Sequence, residues 1–137
     1  MIKLKSSLME EKPAFVKERE GKISFKIEPL PFDMLTTTLY SDEGYVGFCT
    51  LTQDIPFEDL ASFPPKPNYL FMDTITVKKE YHEQGYGYLI YKEAMKYAKN
   101  HRFRGLVSSK NHRNDNASKI VNRLTTFSDR DYDYIDV

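Results

Sequence analysis

The chain has 137 residues, 20 basic and 20 acidic, so its formal net charge is zero and no global polyelectrolyte attraction to nucleic acid is indicated. Hydrophobic content of 40% and charged content of 29% fit one folded domain, 1–137, and a single cysteine, Cys49, excludes an internal disulfide or a zinc cluster built on several cysteines. No apolar run is long enough to cross a membrane, and the first 20 residues are too charged for a secretory signal, so the expected compartment is the cytoplasm.

Met1 to Lys5 fits a short strand. Ser6 or Ser7 is placed to cap a helix carrying Leu8, Met9, Phe15 and Val16, interrupted by Pro13. Lys22 to Glu28 alternates polar and apolar residues, which is the pattern of a half-buried strand, and Pro29 and Pro31 close it. Met34–Tyr40 and Tyr45–Thr52 are strand-like runs joined by Ser41-Asp42-Glu43-Gly44, a hairpin signal. Cys49 lies in the second run and reads either as a small buried apolar residue or as a thiol nucleophile. Gln53 to Asn68 holds four prolines and reads as a long connection with one helical turn near Phe57–Leu60.

Tyr69 to Val77 is rich in β-branched and aromatic residues and predicts a strand. From Tyr86 to His101, Tyr86, Leu89, Ile90, Ala94, Tyr97 and Ala98 recur at helical spacing, with Lys92, Lys96 and Lys99 opposite. Gly105 fits a helix stop, and Leu106–Ser109 a short strand parallel to the first through a right-handed crossover. Asn114 to Leu124 predicts a helix capped by Asn or Asp, with Ala117, Ile120, Val121 and Leu124 apolar. Tyr132, Tyr134 and Ile135 predict a final strand edged by acids, an edge that offers pairing across a two-fold in a homodimer.

Between the strand and the helix lies Gly85-Tyr86-Gly87. A strand, a glycine turn and a helix start together present backbone N–H groups at the positive end of a helix dipole, a site for phosphate or pyrophosphate. The dinucleotide pattern G-x-G-x-x-G is incomplete, because Ile90 stands at the third glycine, and no G-x-x-x-x-G-K-[ST] loop occurs. The N–H groups of Gln84, Gly85, Tyr86, Gly87 and Tyr88 form the candidate cradle; the alternative is an ordinary strand-to-helix turn.

The run Ile75-Thr76-Val77, Lys78 to Tyr81, His82-Glu83-Gln84-Gly85-Tyr86-Gly87 resembles the central motif of the GNAT N-acetyltransferase superfamily. That motif is a strand, a short loop, then Arg/Gln-x-x-Gly-x-Gly/Ala opening a helix. The resemblance covers about residues 68 to 127. It departs at His82, which replaces Arg or Gln, and at Val121, which replaces the tyrosine of Asn-x-x-Ala-x-x-Leu-Tyr, where Asn114, Ala117 and Ile120 match. The N-terminal third, which shapes the acceptor pocket in the family, is short.

The resemblance implies an α/β fold: a mixed sheet with antiparallel N-terminal strands, a central splayed parallel pair and flanking helices. It implies acetyl-CoA as co-substrate, no metal, and an amine acceptor, small molecule or protein, that attacks the thioester directly. The pantetheine arm would enter the fork and meet the backbone of Ile75 and Val77, with Thr76 between them counted among the cofactor contacts. His82 is either a phosphate donor or an exposed loop histidine, and Asn114 is carried over as a cofactor contact. Asp73, four residues before Val77 and on its strand face by alternation, is the candidate base, directly or through water; its alternative is a structural acid. With Val121 in place of tyrosine, Ser118, Tyr132 or Tyr134 would protonate the leaving thiolate, or it would leave as the anion. The seven cations Lys92, Lys96, Lys99, Arg102, Arg104, Lys110 and Arg113 read either as partners for the coenzyme A 3′-phosphate or as a solvated face. Hydrolysis by a Ser-His-Asp triad and a metal site from His82, His101 and His112 have no supporting pattern.

Two readings from other classes compete with the acetyltransferase. One is a non-catalytic protein that binds coenzyme A or merely keeps the fold and acts through protein contacts. The other is a nucleic-acid module using the basic run, against which the zero net charge and acidic tail count.

Overall fold

A computed structural model describes residues 22–31, 34–53, 65–110 and 113–137. The expected elements before Lys22 and the helical turn near Phe57 lie outside these residues. Seven strands and two α-helices are found among them: β1 (Ile23–Leu30), β2 (Met34–Ser41), β3 (Gly44–Thr52), β4 (Tyr69–Val77), α1 (Tyr86–Asn100), β5 (Gly105–Ser109), α2 (Asp115–Leu124), β6 (Phe127–Ser128) and β7 (Tyr132–Asp136). They make one sheet in the order β1-β2-β3-β4-β5-β7-β6. All neighbours are antiparallel except β4 and β5, which are parallel and joined through α1. This is the mixed α/β architecture anticipated from the sequence. No described helix is long and apolar enough to cross a membrane.

The core follows from alternation along the strands. Leu39, Val46, Cys49, Leu51, Leu70, Met72, Leu106 and Ile135 meet the buried stripe of α1 and Val121 and Leu124 of α2 on one face. That stripe is wider than the expected one, adding Tyr88, Tyr91 and Met95, while Tyr97 stays partly exposed and stacks on His101 at 3.8 Å. On the other face Tyr69, Phe71, Val107, Tyr132 and Tyr134 form a second cluster, sealed by Phe127. The final strand is not an edge: β7 lies between β5 and the two-residue β6, which pairs through Phe127↔Tyr134 and Ser128↔Asp133.

The sheet carries two irregularities. Leu39 pairs with Gly47 and Tyr40 with Tyr45, so Val46 is an extra residue in β3, and its side chain is fully buried. In β4, Met72 pairs with Leu51 and Thr74 with Thr50, leaving Asp73 as the extra residue. A bulge shifts the parity of a strand. Met72 and Ile75, three apart, accordingly both pack on the α1 side.

Gly105 does not stop α1. The helix ends in a Schellman arrangement at Arg102 (φ 64), with Arg102 N–H donating to Lys99 O at 3.2 Å, Phe103 N–H to Ala98 O at 2.9 Å, and the Phe103 side chain against the core. Gly105 opens β5 instead, and a Cβ there would collide with the Ile135 carbonyl and approach Asp136 Cα to 2.9 Å. Asn114 caps α2, its Oδ1 accepting from Ala117 N–H at 2.8 Å.

Two stability outcomes follow, both read by urea unfolding. Gly105→Ala is expected to cost about 2 kcal/mol or more, because the obstruction is backbone that must shift. Arg102→Gly is expected to stabilise by roughly 0.5–1 kcal/mol, because glycine takes the left-handed helix terminus without steric cost.

Candidate active site

The site begins where two strands part. β4 and β5 pair only over Tyr69↔Gly105, Leu70↔Leu106 and Phe71↔Val107. Beyond that point β4 stays with β3 as far as Val77↔Gly47, while β5 stays with β7 as far as Ser109↔Tyr132. The expected splayed fork is therefore present, and the far half of β4 has a margin that no strand of the described residues covers.

From Val77 the chain turns through a short 3₁₀ segment, Lys79–Tyr81, into α1. Glu83 (φ 60) and Gly85 (φ 83) both take left-handed conformations, and Gly85 is the N-cap of α1 without any side-chain cap bond. Glycine is needed at Gly85 because L side chains rarely hold this conformation. The first N–H groups of any helix lack intrahelical acceptors, so this end can serve an anion. The loop is braced from within: His82 Nε2 lies 2.7 Å from Val77 O, and Gln84 Nε2 donates to Glu80 O at 3.0 Å. The Tyr81 and Tyr86 rings meet edge to face at 5.5 Å.

A cleft of about 480 Å³ opens between the end of β4, this loop with the start of α1, and α2. Its size is that of a small-molecule site. Ile75, Thr76, Val77, His82, Gly85, Tyr86, Gly87, Tyr88 and Asn114 all line it, as do Tyr81, Glu83, Asn116, Ala117, Lys119, Ile120 and Arg123. The Arg123 guanidinium sits 5.1 Å over the Tyr88 ring. Gln84 lies outside the lining, with its side chain turned to Glu80. The Asn114 carboxamide oxygen is committed to the helix cap. Gly87 is explained by packing: a Cβ there would come 2.8 Å from Ile120 Cδ1, so glycine lets α2 approach α1.

Asp73 is the bulge residue of β4 and does not line the cleft. The alternation that put it on the face of Ile75 and Val77 is broken at Asp73 itself. None of the seven cations from Lys92 to Arg113 lines the cleft either. Arg104 lies over the Tyr69 ring at 5.0 Å, Lys110 Nζ donates to Asp129 O at 2.6 Å, and Arg113 Nη1 sits 2.7 Å from Asp133 Oδ2 in a nearly buried ion pair. The cations that do line it, Lys119 and Arg123, come from α2, where 116, 119, 120 and 123 follow the helical period. That spacing was the available signal, and it was obscured because Ile120 and Ala117 read as core.

The hydroxyls considered for the thiolate do not reach the cleft. Val121 is fully buried in the core. Tyr132 and Tyr134 belong to the cluster on the other face, and Tyr134 Oη donates to Asp129 Oδ2 at 2.7 Å while accepting from Lys66 N–H at 2.9 Å. Ser118 is not in the lining. Cys49 is fully enclosed, and burial pushes its thiol up to about 12 against the weaker opposing effect of hydrogen bonding with Thr37. A reactive thiolate is thereby disfavoured, and the buried apolar reading of Cys49 stands.

The sequence finds no match among curated proteins. Among solved structures, a protein assigned to the GNAT acetyltransferases from Desulfovibrio desulfuricans superposes with a TM-score of 0.62 at 10% identity, over 83% of this chain and 98% of that one. An N-acetyltransferase from Thermoplasma acidophilum in complex with coenzyme A gives 0.53 at 15% identity, over 77% and 62%. A protein assigned as a streptothricin acetyltransferase from Bacillus anthracis, in complex with acetyl coenzyme A, gives 0.58 at 16% identity, over 94% and 71%. Likeness at such identities concerns the fold alone, but the profile of the acetyltransferase (GNAT) family matches residues 3–120, and the chain belongs to that family.

Proposed function

We propose that this chain moves an acetyl group from acetyl-CoA to an amine by direct attack in a ternary complex. The observation that carries the reading is the fork between β4 and β5 opening onto the cleft at the start of α1. The residues fit the co-substrate: a left-handed glycine at an uncapped helix start for the pyrophosphate, apolar walls at Ile75, Val77, Ala117 and Ile120 for the arm, and two cations on α2 for phosphate charge. Bound acetyl-CoA supplies an activated thioester. The chain's own groups hold and orient it. The Val77 carbonyl is engaged by His82 and the Thr76 carbonyl faces Gly47 of β3, which leaves the Ile75 main chain to meet the arm. Their strand is fixed against β3, which keeps the reacting geometry preorganised.

Asp73 is assigned as the base that takes the amine proton, directly or through water. Its place at the bulge supports this role, because bulges re-aim side chains beside active sites. No hydroxyl stands in the cleft at position 121, and the thiolate leaves as the anion; thiols titrate near about 8.5, so this is not costly. No covalent enzyme intermediate is involved, in keeping with the enclosure of Cys49.

Calorimetric titration of acetyl-CoA is the first test. The natural protein is expected to bind, and Gly85→Glu, folded by circular dichroism, to bind at least about tenfold more weakly, because a carboxylate would face the phosphates and the residue must hold φ +83. Absence of binding by the folded natural protein would overturn the reading in favour of a partner-binding role. With an acceptor identified by thiol release across a panel of amines, Asp73→Asn is expected to lower kcat by about 10²-fold or more while leaving the KM for acetyl-CoA unchanged. An unaltered kcat would remove Asp73 from the mechanism.

A further inference from the structure

Independently of any co-substrate, we propose that β1 is a pairing edge for a second copy of this chain. Two β1 strands lie antiparallel about a two-fold at Ile27, and one sheet runs through both copies.

β1 forms one end of the sheet, and no described strand pairs with its outer side. It is eight residues long, whereas the strand at the opposite end, β6, has two. Ile23 and Phe25 pack on the core, but Lys26 to Leu30 are exposed. Three large apolar side chains are exposed among the described residues, and two of them belong to this strand, Ile27 at 42% and Leu30 at 39%. A long edge of this kind is a template for pairing with another chain.

The main chain fixes which groups the edge offers. Lys22 O accepts from Asp42 N–H at 3.0 Å, and the register from Ile23↔Ser41 to Leu30↔Met34 has no shift. Main-chain groups alternate in direction along an antiparallel strand. The even-numbered residues therefore bond β2, while Ile23, Phe25 and Ile27 turn N–H and C=O outward. Pro29 falls in the outward set, so its missing N–H takes nothing from the ladder with β2. A two-fold at Ile27 sets Ile27 against its own copy, each N–H donating to the other's carbonyl. Each Phe25 N–H then donates to the Pro29 carbonyl of the second copy. The two Ile27 side chains meet on one face, flanked by Phe25 and Pro29. On the other face Lys26 lies opposite Glu28 of the second copy, and Glu28 opposite its Lys26. Within one copy these two form a loose, exposed pair at 3.7 Å, so both can turn to the second copy.

The register is selective. Outward residues must face outward residues, which excludes a two-fold lying between residues. A two-fold at Lys26 or at Glu28 would set like charges directly opposite. Positions nearer either end of the strand shorten the paired stretch. With β6 too short to serve as a second edge, pairing closes at two copies instead of growing.

Sedimentation equilibrium of the natural protein between about 1 µM and 1 mM is expected to show a monomer–dimer equilibrium. Lys26→Glu is expected to weaken the dimer roughly tenfold or more, because both cross-strand pairs then oppose like charges. Adding Glu28→Lys exchanges the two charges and is expected to return the dimer to within about threefold of the natural one. Circular dichroism checks that all three proteins are folded. Ile27→Cys is expected to oxidise to a dimer linked through position 27, since the paired Cα atoms would stand about 5.5 Å apart, within disulfide reach. The enclosed Cys49 does not compete. A natural protein that stays monomeric at about 1 mM would overturn the proposal. So would a dimer that ignores both charge changes and does not link through position 27, which would pair through another surface.

Discussion

Three residue pairs hold the two parallel strands together, and the site exists because there is no fourth. After Phe71 and Val107 each strand continues with its outer neighbour, β4 with β3 and β5 with β7, so neither loses its ladder when the two diverge. Burial on both faces fixes where the parting begins. Tyr69 to Met72 are buried, whereas the rest of the strand alternates between half-buried and exposed. The margin of β4 that no described strand covers then runs straight into the glycine turn and the start of α1. Fork, turn and helix end are thus one continuous feature.

On the face away from α1, polar ties join the aromatic cluster in holding β5, β7 and β6. Tyr69 Oη donates to Asp136 Oδ1 at 2.5 Å, tying the base of β4 to the far end of β7. Arg113 and Asp133 pair while nearly buried, and Ser128 donates to the same aspartate. Buried ion pairs add little net stability over apolar replacements, but removing one partner is costly. Asp129 shows the same economy of charge: burial would raise its carboxyl, but hydrogen bonds from the Tyr134 hydroxyl and the N–H groups of Tyr132 and Asp131, with Lys110 nearby, hold it below its ordinary value. These contacts tie β4, β6 and β7 together on the face opposite α1.

Much of this was legible in the chain. The strand from Tyr69 to Val77, the turn at Gly85 and the apolar stripe of α1 each rest on local chemistry, and nine of the ten residues named for the cofactor line the cleft. What local pattern could not carry is whatever depends on a neighbour distant in sequence. The bulge at Asp73 is defined by register against Leu51 and Thr50. Gly105 looks like a helix stop until the Ile135 carbonyl is beside it, and an arginine occupies the left-handed terminus that glycine would favour. The basic run left open a phosphate patch or a solvated face because charge in sequence carries no direction; Arg104, Lys110 and Arg113 turn to Tyr69, Asp129 and Asp133, and the cleft draws its cations from α2.

Gly87 and Ile120 are 33 positions apart, yet they touch across the gap between the two helices. A glycine inside a helix costs about 1 kcal/mol relative to alanine, so substitution to alanine would be favoured by the helix alone. The δ-methyl of Ile120 is what stands in its way. A side chain gained at 87 would push aside the far end of the Ile120 side chain, which borders the open cleft and can turn away. Both residues line the cleft, so such a displacement would be felt there as a change in the shape of its wall while the two helices stay where they are.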